Sequence, residues 1–180
     1  MESTDNTITI RLEVFNEQLK GNYKLDIVKI DDYSAKLENI GFKINDEDLV
    51  TDQNGLIPYE VDLEGKGWYY EVITETDSRN ATNGKDYAQL EEFRIYRYTD
   101  IVNNKYVVTK IGFSTEEGNY VEIPSTGNAV ISQEVKTENP DRIAMVVITA
   151  DAPDSNGVVS AKVVIPNPEV KGEYKLNIVK

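Results

Sequence analysis

The sequence predicts an all-β protein, specifically a Greek-key β-sandwich, and three observations lead to this. Apolar and polar residues alternate in many short segments, as expected for strands that bury one face. Clusters of Gly, Asn and Asp, which favour turns, separate these segments. Stretches with a helical period are missing, apart from one short helical turn that Gln89 to Phe93 could form. Many short strands joined by such turns are typical of a sandwich.

The first predicted strand is 23–30, where Tyr, Leu and Ile fall on alternate positions. The next four are predicted at 41–45, 48–51, 56–63 and 68–75. The sequence Asp-Gln-Asn-Gly at 52–55 and the pair Gly65 and Gly67 supply turns between the last three of these. The remaining six strands are predicted at 91–99, 105–114, 119–123, 129–136, 142–150 and 158–166. Turn-forming sequences precede or separate them at 80–84, 116–119 and 154–157.

The composition excludes several classes of function. The 180 residues contain no Cys and no His, which removes thiol catalysis, disulfides, Ser-His nucleophile pairs and the usual zinc ligands. The net charge of -13 would repel nucleic acid and anionic membrane surfaces, so neither is expected as a partner. No apolar run is long enough for a membrane span. We expect no cofactor, no metal and no enzyme that acts on an outside substrate.

An internal repeat organises the chain. Residues 14–29 and 165–180 are identical at nine of sixteen positions, at a constant offset of 151 residues. Agreement this dense predicts a parent protein built as an array of units of that length. We therefore predict that residues 1–19 hold the last strand of a preceding repeat, that 20–170 form a complete unit, and that 171–180 hold the first strand of the following repeat.

Two polar residues continue the apolar faces of the first and last strands of the unit. Lys29 follows Ile27 on one face, and Asn167 follows Ile165 on another. Burial disfavours the charged ammonium, and a neutral amine is a nucleophile. A carboxamide becomes a usable electrophile when a buried carboxylic acid hydrogen-bonds or protonates its oxygen. The position of the two residues on alternating strand faces (their strand parity) leaves two interpretations open. The side chains could be cross-linked, or Lys29 could extend its ammonium to solvent at the strand end while Asn167 caps a turn.

Five strings occur in the chain in this order: GNYKLDIVKIDD, LENIGFKI, LVTDQNGLI, YYEVITET and VVIPNPEVKGEYKL. They resemble the collagen-adhesin B-type domains of Gram-positive surface proteins and pilins, and the long repeats of clostridial wall proteins. The resemblance implies an immunoglobulin- or prealbumin-like sandwich, here with extra strands inserted, outside the cell on the bacterial surface. It also implies a spontaneous isopeptide bond between Lys29 and Asn167. Glu75 matches the assisting acid, and Glu71, with the same strand parity, stays an alternative.

The predicted function is structural: a stalk or fibre repeat of a bacterial cell-surface protein whose partners are neighbouring repeats. Two alternatives stay open. The aromatic residues at 68–70 and 96–98 could stack on a glycan or another host ligand, as in an adhesin. Asn16 and Lys180, the repeat equivalents of the cross-linking pair, could instead pair between molecules and give a head-to-tail fibre.

Overall fold

The computed structural model describes residues 18–31, 33–78, 81–116, 118, 120–124, 129–138, 143–150, 155 and 160–167. They form the strands β1 Asn22–Asp31, β2 Gly41–Ile44, β3 Glu47–Val50, β4 Leu56–Asp62, β5 Gly67–Asp77, β6 Phe93–Val102, β7 Lys105–Ser114, β8 Val121–Pro124, β9 Ala129–Lys136, β10 Ile143–Ala150 and β11 Ser160–Asn167. No helix occurs within these residues, so none among them is long and apolar enough to cross a membrane. The helical turn expected at Gln89 to Phe93 is wrong, because Leu90 forms a β-bridge with Thr137 and β6 begins at Phe93.

The strands form two β-sheets. One sheet has the order β4-β1-β11-β10-β9, and the other has the order β3-β2-β5-β6-β7-β8. Buried apolar side chains from both sheets belong to one core, which is consistent with a β-sandwich. The predicted all-β class is therefore confirmed, whereas the Greek-key connectivity stays a prediction.

The first and last strands, β1 and β11, lie side by side and run parallel. Every other described pair of neighbouring strands is antiparallel. In the β1–β11 register Lys29 pairs with Ile165 and Asp31 pairs with Asn167. Because the two strands are parallel, both end at the same end of the sheet.

The inward faces of β1 and β5, which belong to different sheets, combine apolar centres with polar ends. In β1 this face carries four fully buried residues, Tyr23, Leu25, Ile27 and Lys29. In β5 it carries Glu71, Ile73 and Glu75, of which the most exposed is Glu71 at 1%. Burial of polar groups is costly unless they are paired, so the contacts of these polar residues matter for the stability of the core.

The segment that enters β1 is bound to both sheets. The amide of Tyr106 in β7 donates to the carbonyl of Lys20 (3.1 Å), and the amide of Leu63 after β4 donates to the carbonyl of Gly21 (2.9 Å). A Cβ atom at Gly21 would overlap the carbonyl oxygen of Tyr106. Gly21 is therefore required by the close approach of two backbones.

Candidate cross-link site

Lys29 lies near the end of β1, and its side chain is completely buried. Backbone contacts hold it there: its amide donates to the carbonyl of Gly55 (2.7 Å), and its carbonyl accepts from the amide of Leu37 (3.1 Å). The ring of Phe42, itself fully buried, lies with its centroid 5.6 Å from Nζ. The amine is thus held in apolar surroundings by strand geometry on one side and an aromatic ring on the other.

Glu75 faces Lys29 from β5 in the opposing sheet. Its Oε1 lies 2.8 Å from Nζ of Lys29, and neither side chain is exposed. Its Oε2 accepts a hydrogen bond from the amide of Leu90 (2.7 Å), and the Gln89 side-chain amide donates to the Glu75 carbonyl. The loop before β6 therefore fixes the orientation of the carboxyl group, leaving one oxygen directed at the amine.

Burial favours the neutral form of the Lys29 amine. It lowers the pKa of Lys29 to about 8, and the neighbouring Glu75 opposes that shift. Among the described residues, Nζ has Glu75 as its ion-pair partner and no further hydrogen-bond acceptor. An ammonium has three donors to satisfy, so this site favours the neutral amine more than a well-paired lysine would.

Asn167 is the last residue of β11, the strand next to β1. It pairs with Asp31, two positions beyond the pair formed by Lys29 and Ile165. Positions two apart in a strand share a face, so Lys29 and Asn167 are diagonal neighbours by register, a separation that long side chains span. The side chain of Asn167 lies outside the described part of the chain, as do Asn16 and Lys180 entirely.

Glu71 contacts a different cation. It shares the inward face of β5 with Glu75, but its Oε1 lies 3.1 Å from Nη2 of Arg97 in β6. Burial raises the pKa of Glu71 to about 7, and Arg97 opposes the shift. Of the two acids that sequence parity left open, the structure therefore brings Glu75, not Glu71, to Lys29.

The cluster of buried polar residues around Glu71 is the feature of the core that the sequence did not predict. Burial, and next the Glu71 charge, raise the pKa of Tyr23, and the Tyr23 hydroxyl has no hydrogen-bond partner among the described residues. The guanidinium of Arg97 also lies over the ring of Tyr69, 4.9 Å from its centroid. The position of Arg97 could have predicted this cluster. Arg97 lies two residues after Ile95 on the inward face of β6, just as Lys29 lies two residues after Ile27 on the inward face of β1.

Within the described residues, no three His, Cys, Asp or Glu side chains come together as a metal site would require. The described part of the site holds a buried amine and an oriented carboxyl group, and the strand beside the amine ends in an asparagine. Comparison with protein-family models, curated proteins and solved structures gives no match to this chain.

Proposed function

We propose that this unit is a structural stalk repeat of a bacterial surface protein, stabilised by an isopeptide bond that forms spontaneously between Lys29 and Asn167. One observation carries the proposal: the fully buried contact of Lys29 with Glu75, at the end of β1 that lies beside the end of β11. The resemblance of the repeat strings to surface-protein domains supports the extracellular location, and the 151-residue repeat supports the role as one unit of an array.

The proposed reaction needs no external reagent. A proton moves from the ammonium of Lys29 to the carboxylate of Glu75, leaving a neutral amine and a carboxylic acid. The amine nitrogen attacks the side-chain carbonyl carbon of Asn167 while the acid of Glu75 hydrogen-bonds the carbonyl oxygen. Glu75 then transfers a proton from the attacking nitrogen to the departing amino group. An amide joins the two side chains, and one ammonia molecule leaves.

Stability alone is a weak reason for a protein to keep a buried ion pair. Desolvation of the two charges offsets much of their attraction, and apolar side chains of similar volume often stabilise a core equally well. A lysine that reacts with an asparagine, assisted by a glutamate, has a chemical reason to be buried with that glutamate, since burial favours the neutral amine. The resulting amide removes the charge whose burial was costly.

The proposed bond has a mechanical consequence that follows from topology. Tension applied to the parent protein enters a unit through β1 and leaves it through β11. Because the strands are parallel, pulling loads them in shear, and a bond between Lys29 and Asn167 carries the force past the rest of the domain. By the loop-entropy estimate used for disulfides, closing so long a loop also contributes roughly 5 kcal/mol to stability.

Intact-mass spectrometry of the folded protein tests the proposal. We expect a mass below that of the sequence by one ammonia molecule, and a linked peptide containing Lys29 and Asn167 after proteolysis. Glu75→Gln and Asn167→Ala should each keep the full sequence mass. The matched control is Glu71→Gln, which alters the same face of the same strand at an acid that contacts Arg97, and should still lose ammonia.

A wild-type mass equal to that of the sequence would overturn the cross-link. Equal ammonia loss in Glu75→Gln and in the wild type would leave the bond in place but remove Glu75 from its formation.

A further inference from the structure

An aromatic platform covers part of the outer face of the second sheet. Trp68 in β5 lies opposite Tyr98 in β6, and Tyr70 lies opposite Tyr96. The ring centroids of these pairs are 5.3 Å and 5.1 Å apart. The ring of Tyr120, just before β8, joins them at 4.6 Å from Trp68 and 4.7 Å from Tyr96. These five residues form a continuous set of ring contacts, which we call the aromatic platform.

A glycine makes room for the fifth ring. Gly112 in β7 lies opposite Tyr96. A Cβ atom there would come within 2.9 Å of the Tyr120 ring and 3.2 Å of the Tyr96 side chain. The missing side chain lets Tyr120 lie across β7 against its neighbours. Because the rings support one another, a flat ligand would meet a surface that is already ordered, which lowers the entropic cost of binding.

Three ion pairs, each of one cation and one carboxylate, border the aromatic platform. These are Arg94 with Glu92 (2.6 Å), Lys110 with Glu122 (3.1 Å) and Lys66 with Asp100 (2.8 Å). Lys110 lies opposite Tyr98 in the sheet, and the guanidinium of Arg94 lies 5.9 Å from the centroid of the Tyr70 ring. The charges of these three pairs cancel, although the whole chain has a net charge of -13.

We infer that the aromatic platform binds a neutral saccharide, with one or two pyranose rings stacked on it. A pyranose has an apolar face of C–H groups, which suits aromatic rings, and an edge of hydroxyl groups, which suits alternating cations and carboxylates. Tyr70 is 39% exposed, and Trp68, Tyr98 and Tyr120 are partly exposed, so ring surface remains for a ligand. The mutually neutralised border fits a ligand without charge.

The alternative occupants fit less well. A second copy of this chain would bring another net charge of -13 against the first, and nucleic acid would be repelled in the same way. Cross-strand pairing alone accounts for contacts between opposite rings, but not for a fifth ring seated over a glycine within a balanced charged border. The inference does not depend on the cross-link, because the aromatic platform faces away from the core that holds Lys29.

Trp68 is the single tryptophan of the chain, so fluorescence reports directly on this surface. The experiment screens the wild-type protein on an array of neutral and anionic glycans. It then titrates the protein with the best-binding soluble neutral oligosaccharide while following Trp68 emission. We expect saturable binding to neutral glycans together with a change in that emission.

Variants locate the binding site. Tyr70→Ala and Lys110→Ala change partly exposed residues, keep the Trp68 reporter, and should each weaken binding, by about tenfold for Tyr70→Ala. Tyr33→Ala is the matched control, since Tyr33 is 77% exposed and lies far along the chain from the aromatic platform. It should bind as the wild type does.

Four outcomes would overturn the inference. One is an array on which no neutral glycan binds; another is binding confined to anionic glycans. The third is a neutral glycan that binds Tyr70→Ala and Lys110→Ala as tightly as the wild type, which would place its site elsewhere. Self-association through this face, seen as a dimer that Tyr70→Ala dissolves, would likewise assign the surface to a second copy.

Discussion

Lys29 and Glu71 lie in the same core, and burial shifts the pKa of each in the direction that favours the neutral side chain. The pKa of Lys29 falls to about 8 and that of Glu71 rises to about 7, each opposed by an ion-pair partner. The difference lies in the neighbours. Lys29 lies on the strand next to the one that ends in Asn167, whereas Glu71 contacts Arg97. The guanidinium group of Arg97 cannot act as an acyl donor. The same physical cost would therefore serve the proposed reaction at one end of the core, and it accompanies a buried ion pair at the other.

Glu71 should make the stability of the protein depend on pH. Its folded pKa of about 7 exceeds the ordinary value of 4.5, so the fold favours the protonated form. That contribution is complete below pH 4.5 and is lost as the pH rises to about 7. Glu71→Gln does not titrate, so across this range the wild type should lose up to about 3 kcal/mol of unfolding free energy relative to the variant.

Chemical denaturation of both proteins at a series of pH values measures this difference. A constant difference between wild type and Glu71→Gln would show that Glu71 has an ordinary pKa in the folded protein.

At the scale of elements, the short segment before β1 connects the two sheets through backbone hydrogen bonds. Lys20 and Gly21 bond to strands of opposite sheets, so they hold the two layers together where the chain enters the unit. The pair recurs as Lys171 and Gly172 in the repeated string. The glycine at position 21 is explained by the contact with Tyr106, because any Cβ atom would meet a backbone oxygen.

Gly21→Ala should therefore destabilise the protein by roughly 2 kcal/mol or more, since the backbone of β7 has to shift. Gly65→Ala is the control: its Cβ atom would meet the hydroxyl of Tyr69, the end of a flexible, partly exposed side chain. It should cost well under half as much. Thermal and denaturant unfolding compare the two, and equal losses would contradict the role given to Gly21.

At the scale of the whole molecule, the parallel pairing of β1 with β11 decides how the unit responds to force. The two strands lie side by side in the middle of one sheet, each with an antiparallel strand on its other side, and in the proposed stalk they would receive the tension. A covalent bond between their ends would exclude residues 30–166 from extension. An unlinked unit has only hydrogen bonds and the core to resist the same pull.

Single-molecule pulling on the ends of the chain separates these cases. The wild type should show no unfolding step from residues 30–166, whereas Glu75→Gln should release them and lengthen the chain by about 45 nm. An unfolding step of this size in the wild type would contradict a cross-link that carries the applied force.

Much of the fold followed from the sequence for local reasons. Alternation of apolar residues reflects a property of each strand by itself, so the predicted strands match the described ones to within a few residues, from 23–30 for β1 to 158–166 for β11. The same parity placed Lys29 on the apolar face of its strand, and its side chain is fully buried. The repeat likewise required only the comparison of two stretches of the chain.

Only the tertiary structure decided which groups meet. The alternation of residues along β5 treated Glu71 and Glu75 alike. In the folded protein Glu75 meets Lys29 from the opposite sheet, and Glu71 meets Arg97 on the neighbouring strand β6. Parity also did not reveal that β1 and β11 are neighbours, or that five aromatic residues from separate stretches of the chain form one surface. These facts depend on how the sheets are ordered and packed, which joins residues distant in sequence. The sequence by itself determined an all-β protein with a lysine on the apolar face of its first strand, and the packing of the two sheets determined what that lysine faces.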